Sequence, residues 1–219
     1  MATSQHKKHG TTKSHKKNHH DKNGFHLLLK TSEQGLNFIY SIEVGPLEET
    51  TSHLHWPGGS SGVTLGPGYD MKLRKKVDVL KTLMEVGLSR QVAEQASNGV
   101  TLTNKTNPKA EDFADDNEEL IALTKEQQLK LLSLIVPHYE GIVIRNIHVP
   151  LKQYEFDALV CFVYNPGGSF VPIAHTINAG HMEQAVELMR RRVITGGKTS
   201  KGLERRRQRE TWLLQTGHY

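Results

Sequence analysis

One cysteine in 219 residues, Cys161, excludes an intrachain disulfide framework. It lies in the apolar run from Phe156 to Tyr164, where a buried, inert thiol is expected rather than a nucleophile. Aromatic residues are also sparse, at 6%, and they are not interleaved with basic residues, which argues against a nucleic-acid-binding surface. No apolar run approaches the eighteen or so residues of a membrane span. The basic N-terminus is not followed by an apolar core segment, since Phe25 to Leu29 is short and interrupted by His26, so no signal peptide is read. The expectation is a protein made in the cytoplasm.

Acids are nearly missing from one end. Residues 1–30 hold seven lysines and six histidines against one acid, Asp21, giving a net charge of +6. The whole chain is +5, so residues 31–219 carry −1 and the basic character belongs to the tail. Residues 1–24 have no large apolar side chain beyond Met1, and such a stretch cannot bury enough surface to offset its ordering entropy. Residues 1–30 are therefore expected to be a disordered linker or electrostatic tether, and 31–219 a single domain. The tail histidines show no zinc-ligand spacing and sit among lysines, so no metal is expected.

Within 31–219 the apolar residues recur at helical spacing. Thr31-x-x-Gln34 reads as a capping box opening a helix near 32–42 that delivers Glu43 at its C-terminal end. Glycines, prolines and hydroxyl residues between 44 and 70 predict turns and a small hairpin near Val63–Leu65. A second helix should bury Val77, Leu80, Leu83 and Met84 and break at Gly87, with Ser89 capping another. Residues 97–123, with six acids between Glu111 and Glu119, read as a surface insertion, mostly loop. Thr124-x-x-Gln127 opens a helix expected to stop before Pro137. An apolar helix starting at Pro150 should bury Phe156, Leu159, Val160 and Phe162, and two more helices near 179–193 and 201–215 close the chain. No internal repeat is visible, and the class is α+β, mainly α.

Glu43 has the makings of a general acid. Glycosidic cleavage needs a carboxyl group held protonated beside the leaving oxygen. The negative end of a helix disfavours ionisation there, and burial acts in the same direction.

Two blocks then resemble the lysozymes of tailed phages and related bacterial toxins. The first is Glu43-Val44-Gly45 followed by Gly62-Val63-Thr64-Leu65-Gly66-Pro67-Gly68-Tyr69-Asp70. The second runs from Gln153 through Phe156-Asp157-Ala158-Leu159-Val160 to Asn165-Pro166-Gly167-Gly168. Asn178-Ala179-Gly180, Gly196-Gly197 and the closing Gly202-Leu203-x-x-Arg206-Arg207-x-x-Glu210 resemble later segments of the same family. The resemblance covers about residues 32–215, in the family's order, and Leu54 to Gly62 is closest to its endolysin and antibacterial-toxin branch. It implies a lysozyme-like fold, with a small β-hairpin lobe, a larger helical lobe and an active-site cleft between them. It also implies muramidase activity with Glu43 as the acid and Thr64 helping to hold the attacking water, hence inversion, and no cofactor.

One position departs from the family. The simplest phage enzymes carry an Asp six residues before the Thr, where this chain has Gly58. Asp70, Glu48 and Glu49 are candidates for the vacant role, and Ser60 or Ser61 could position water in its place. Asp70 is favoured, although it reads equally well as a cap for a helix starting at Met71. His55 and Trp56 are candidate sugar platforms, with Trp56 as plain core the competing reading. Asn165 is either a substrate ligand or a helix-end cap. The arginine clusters at 190–192 and 205–209 read as solvated helix faces.

The function expected from the resemblance is hydrolysis of the β-1,4 bond between N-acetylmuramic acid and N-acetylglucosamine, by a monomer acting on peptidoglycan in a target cell's periplasm or wall. An antibacterial effector, with a cognate immunity protein and a delivery partner, is favoured slightly over a phage endolysin. A lytic transglycosylase and an inactive wall-binding module remain as alternatives.

Overall fold

The computed structural model describes residues 29–165 and 167–219. The expectation for the basic tail lies outside the described residues, except that Leu29 and Lys30 belong to the folded part. Leu29 packs against the larger core, and the Lys30 carbonyl accepts a hydrogen bond from Gln153 Nε2 at 2.8 Å.

Helix α1 spans Glu33–Glu43 and is capped by Ser32, whose hydroxyl accepts from the Gly35 N–H at 2.9 Å. The cap is thus one residue later than the Thr31 pattern predicts, and a tertiary contact explains the shift. Asp157 binds the Ser32 N–H at 3.1 Å and its hydroxyl at 2.6 Å, while the Thr31 N–H turns to Glu140 at 2.7 Å. After Glu43 the chain turns at Gly45, at φ +47°, into a 3₁₀ turn (Gly45–Leu47) and the short helix α2 (Glu48–Ser52). The hairpin comes where expected: β1 (Thr64–Leu65) pairs antiparallel with β2 (Tyr69–Asp70), Thr64 opposite Asp70. Gly66 in its turn is at φ +61°, and a Cβ there would meet Leu131 Cδ2 at 2.8 Å, so only glycine lets the hairpin close on the next lobe.

Helix α3 (Lys76–Glu85) buries Leu83 as predicted, with Leu80 packed beside it, but the core also takes Val79. Val77 and Met84 remain 66% and 42% exposed. The small lobe packs on the side of the helix that carries Val79 and Leu83 and leaves Val77 and Met84 outside. Ser89 caps α4 (Arg90–Ala96) as predicted, its hydroxyl accepting from the Val92 N–H.

Just over half of residues 97–123 is loop, as expected, but the segment is more ordered than its composition suggests. It forms α5 (Ala110–Asp116) and 3₁₀ turns at Ser97–Gly99 and Glu118–Leu120. Ala110, Ala114, Ile121 and Leu123 are buried, and the Leu123 N–H reaches back to the Ser52 carbonyl at 2.9 Å. The acids face outward while a few small and aliphatic residues close the small lobe's core, a pattern too sparse to show as periodicity.

Helix α6 (Lys125–Asn146) opens on the predicted Thr124–Gln127 capping box but runs through Pro137 instead of stopping. An internal proline costs about 3 kcal/mol. Burial of Leu131, Leu132, Ile135 and Val136 before it and Val143 after it offsets that cost. The helix joins two cores: Leu131 and Ile135 pack with the hairpin, α3 and α4, whereas Leu132, Val136 and Val143 pack with the C-terminal helices.

Helix α7 (Gln153–Tyr164) begins three residues after Pro150, because Glu155 takes the Lys152 N–H at 2.7 Å and fixes the start there. From Phe156 to Val163 every residue is buried, so α7 is the axis of the large lobe. Against it pack α1, α6 and α10 (Lys201–Thr216), while α8 (Val171–Asn178) lies on α6 and α9 (Met182–Arg190) on α10 and α8. The helix expected near 179–193 is α9. Helix α8 before it has no counterpart in the sequence expectations, and Gly180 at φ +83° separates the two. A second hairpin is likewise unanticipated: β3 (Ile194–Thr195) pairs with β4 (Lys198–Thr199), turning at Gly196 and Gly197. Among the described residues no helix is long and apolar enough to cross a membrane.

Candidate active site

Glu43 is the last residue of α1, and its side chain keeps only 18% of its exposure. It accepts a hydrogen bond from Arg206 Nη1 of α10. Arg206 also donates through Nε to Glu210 at 2.7 Å and through Nη2 to the Cys161 carbonyl of α7 at 2.8 Å. Glu210, fully buried, receives Arg207 on its other oxygen. Arg207 in turn lies over the Phe162 ring at 4.5 Å and donates to the carbonyls of Arg192 and Asn165. Two carboxylates and two guanidiniums alternate in a buried row spanning α1, α7 and α10.

Burial is the largest influence on Glu43 and raises its pKa; the charge and hydrogen bond of Arg206 oppose this, Glu210 adds to it, and the balance stays raised. The carboxyl therefore holds its proton to higher pH than an exposed glutamate. Arg206 then stands ready to stabilise the carboxylate left when that proton is given away.

Tyr139 of α6 and Tyr164 of α7 lie beside this row. Burial raises both their pKa values, and the charge of Glu43 raises them further. Their rings pack at 4.4 Å, and the Tyr164 hydroxyl donates to the Pro67 carbonyl in the hairpin turn at 2.6 Å. Tyr164 thus couples the helix end carrying Glu43 to the hairpin carrying Thr64 and Asp70. Tyr139 also lines a cavity of about 460 Å³ with Asp70, Lys72, Leu73, Arg74 and His138, at the junction of the two lobes.

The hairpin residues are occupied with their own backbone. Thr64 is buried and its hydroxyl donates to the Gly62 carbonyl at 3.2 Å. Asp70 accepts from the Lys72 N–H at 2.7 Å and the Gly62 N–H at 3.2 Å, one on each carboxylate oxygen, so it braces the loop before β1 and the turn after β2. Glu48 accepts from the Tyr40 hydroxyl at 2.9 Å.

The expected sugar platform lies elsewhere. His55 and Trp56 line a separate cavity of about 350 Å³ with Glu49, Glu111, Asp115 and Glu118. Trp56 donates through Nε1 to the Ser61 carbonyl at 3.1 Å and packs against the small-lobe core. His55 Nδ1 is 3.0 Å from the His53 carbonyl, and burial lowers its pKa more than that contact raises it, so the ring is neutral. Asn165 ends α7 with its side chain exposed, and its carbonyl is the acceptor for Arg207.

Arg206 and Arg207 are a correction to the expected solvated face, being only 7% and 1% exposed. The signal was present in the sequence: Glu210 stands at i+4 from one and i+3 from the other. Tyr139 carried no signal, because only the crossing of α1 and α6 brings it to Glu43.

A family described as a domain of unknown function (DUF8812) matches residues 48–155. The endolysin of Bacillus phage B103 is 31% identical over 108 residues, which are 48% of this chain and 41% of that protein. The chain thus spans well under half the length of that relative. Among solved structures, the endolysin from Escherichia coli O157:H7 phage FAHEc1 superimposes with a TM-score of 0.55 at 22% identity, over 88% of this chain and 97% of that one. The fold is lysozyme-like: a mainly helical α+β domain with a small hairpin.

Proposed function

We propose that this protein is a peptidoglycan hydrolase that cleaves the β-1,4 bond between N-acetylmuramic acid and N-acetylglucosamine, with Glu43 as general acid. The observation that carries the reading is a glutamate at a helix C-terminus, enclosed enough to raise its pKa, beside the junction of two lobes in a lysozyme-like fold. Glu43 donates its proton to the leaving glycosidic oxygen as positive charge develops at the anomeric carbon. Arg206 holds the resulting carboxylate in place. Water adds to the anomeric carbon and releases one proton to solvent, from which the Glu43 carboxylate takes up a proton and regains its acid form.

In this reading Glu43 is the one essential carboxylate. Thr64 lies on the hairpin strand, where its hydroxyl oxygen can accept from the attacking water while its own proton is held by Gly62. Asp70 keeps the hairpin in register and is a positioning residue. His55, Trp56, Ser61 and Asn165 are assigned no contact with the scissile bond. Both the Bacillus phage protein and the Escherichia coli phage protein carry the name endolysin, which favours lysis of a bacterial wall as the role over delivery as an antibacterial effector with an immunity partner.

Incubation of purified sacculi with wild type and with Glu43→Gln tests the assignment by soluble muropeptide release. Hydrolysis leaves reducing muramic acid ends. Because Asp70 is engaged with backbone N–H groups, a lytic transglycosylase is the second reading, and anhydro-muramic ends would mark it. Wall binding without fragments would remove both.

A further inference from the structure

Leu73 in the turn before α3, and Val77 and Met84 on the outer face of α3, are 90%, 66% and 42% exposed. Val77 and Met84 are two helical turns apart on one face, with the half-buried Leu80 between them, while Val79 and Leu83 anchor the opposite side to the small-lobe core. Such a stripe of large aliphatic side chains on one short element is unusual for a surface facing only water.

The flanks of the stripe are basic. Lys72, Arg74, Lys75, Lys76 and Lys81 stand against Asp78 and Glu85 between residues 72 and 85, a net charge of +3. Glu85 is paired with Lys130 at 3.9 Å, and among the described residues none of the five cations is in an ion pair. Three of them have neutral partners, Lys76 with Asn98 Oδ1 at 2.6 Å, Arg74 with the Asp70 carbonyl at 2.9 Å and Lys72 with the Ser60 carbonyl, so their positive charge is not cancelled.

We propose that this face of α3 docks on an anionic lipid surface. Aliphatic side chains enter the acyl boundary and lysines reach the phosphates, which is how a short amphipathic helix lies in a bilayer interface without crossing it. A protein partner is the weaker match, because lysine is depleted and aromatic residues are enriched at the centres of protein interfaces, and this stripe has lysines and no aromatic ring. The inference goes beyond wall hydrolysis and does not depend on it.

Co-sedimentation of the full chain with vesicles tests the docking. Wild type should pellet with equimolar phosphatidylglycerol and phosphatidylcholine and stay in solution with phosphatidylcholine alone. Leu73→Ser/Val77→Ser/Met84→Ser should lower partitioning about tenfold, since three aliphatic insertions are lost. Lys76→Glu/Lys81→Glu, which leaves the apolar stripe intact, should lower it as well and serves as the second variant should the triple one unfold. Glu43→Gln should partition like wild type, which separates this inference from the catalytic one. Retention of full binding by the triple variant would place the attraction in the lysines of residues 1–30 and overturn the proposal. Equal binding to both vesicle types, or no binding by wild type, would overturn it too.

Discussion

Replacing Glu43 by Gln is the most informative perturbation, because activity and stability should move in opposite directions. The amide fills the same space but cannot donate a proton to the leaving group. Positioned general acids contribute about 10²–10⁴-fold, so muropeptide release from sacculi should fall by roughly that factor. Stability is governed by linkage. Burial raises the folded-state pKa of Glu43 above its unfolded value, so the native state binds more protons than the unfolded chain across the intervening pH range. The contribution of Glu43 to stability is therefore fully present below the unfolded pKa and is lost as pH rises through the folded one. Each unit of elevation amounts to about 1.4 kcal/mol at neutral pH, or about 2–4 °C in Tm for a domain of this size. The Glu43→Gln variant is free of that loss, while Arg206 keeps Glu210 and the Cys161 carbonyl as partners. Its Tm at neutral pH should equal or exceed that of wild type, and the advantage should vanish in acid. Thermal unfolding by circular dichroism from acid to neutral pH measures this directly. A Tm well below wild type at neutral pH would mean that the pairing with Arg206 outweighs burial, and the protonated-acid argument would fail. An unchanged rate of glycan cleavage would refute the assignment of Glu43 itself.

Arg206→Met leaves Glu43 and Glu210 facing each other without the guanidinium between them, and breaking a buried pair in this way costs about 3–5 kcal/mol. Chemical denaturation should show this as a lowered midpoint with an unchanged m-value. Asp70→Asn should keep cleavage within about tenfold of wild type and lower stability by about 1 kcal/mol, because one charge-assisted bond to a backbone N–H is weakened. A loss of sacculus cleavage as deep as that of Glu43→Gln would instead make Asp70 a catalytic group. Asp157→Asn places an NH₂ among four donors, from Ser32 twice, Gln153 and Tyr219, and should cost about 2–3 kcal/mol. Amide hydrogen exchange in the first turn of α1 should accelerate in this variant before the rest of the helix does.

Local chemistry was legible wherever short-range forces decide it. The Thr124–Gln127 box, the Ser89 cap, the hairpin at Thr64–Asp70 and the placement of Glu43 at a helix end all rest on interactions spanning a few residues, and the sequence alone determined them. The burial of α7 was legible too, because seven of the eight residues from Phe156 to Val163 are apolar. Composition likewise determined that the excess positive charge resides in residues 1–30. Tertiary structure decided what depends on partners distant in the chain. Asp157, 125 residues away, chose Ser32 over Thr31 as the cap of α1. Burial on either side of Pro137 carried α6 through a residue that ends helices in isolation. The small-lobe core took Val79 beside the predicted Leu83 and left Val77 and Met84 outside. The crossing of α1, α7 and α10 turned two arginines that read as surface charge into the buried partners of Glu43 and Glu210, because a charge can stay inside only where the fold delivers its counter-charge.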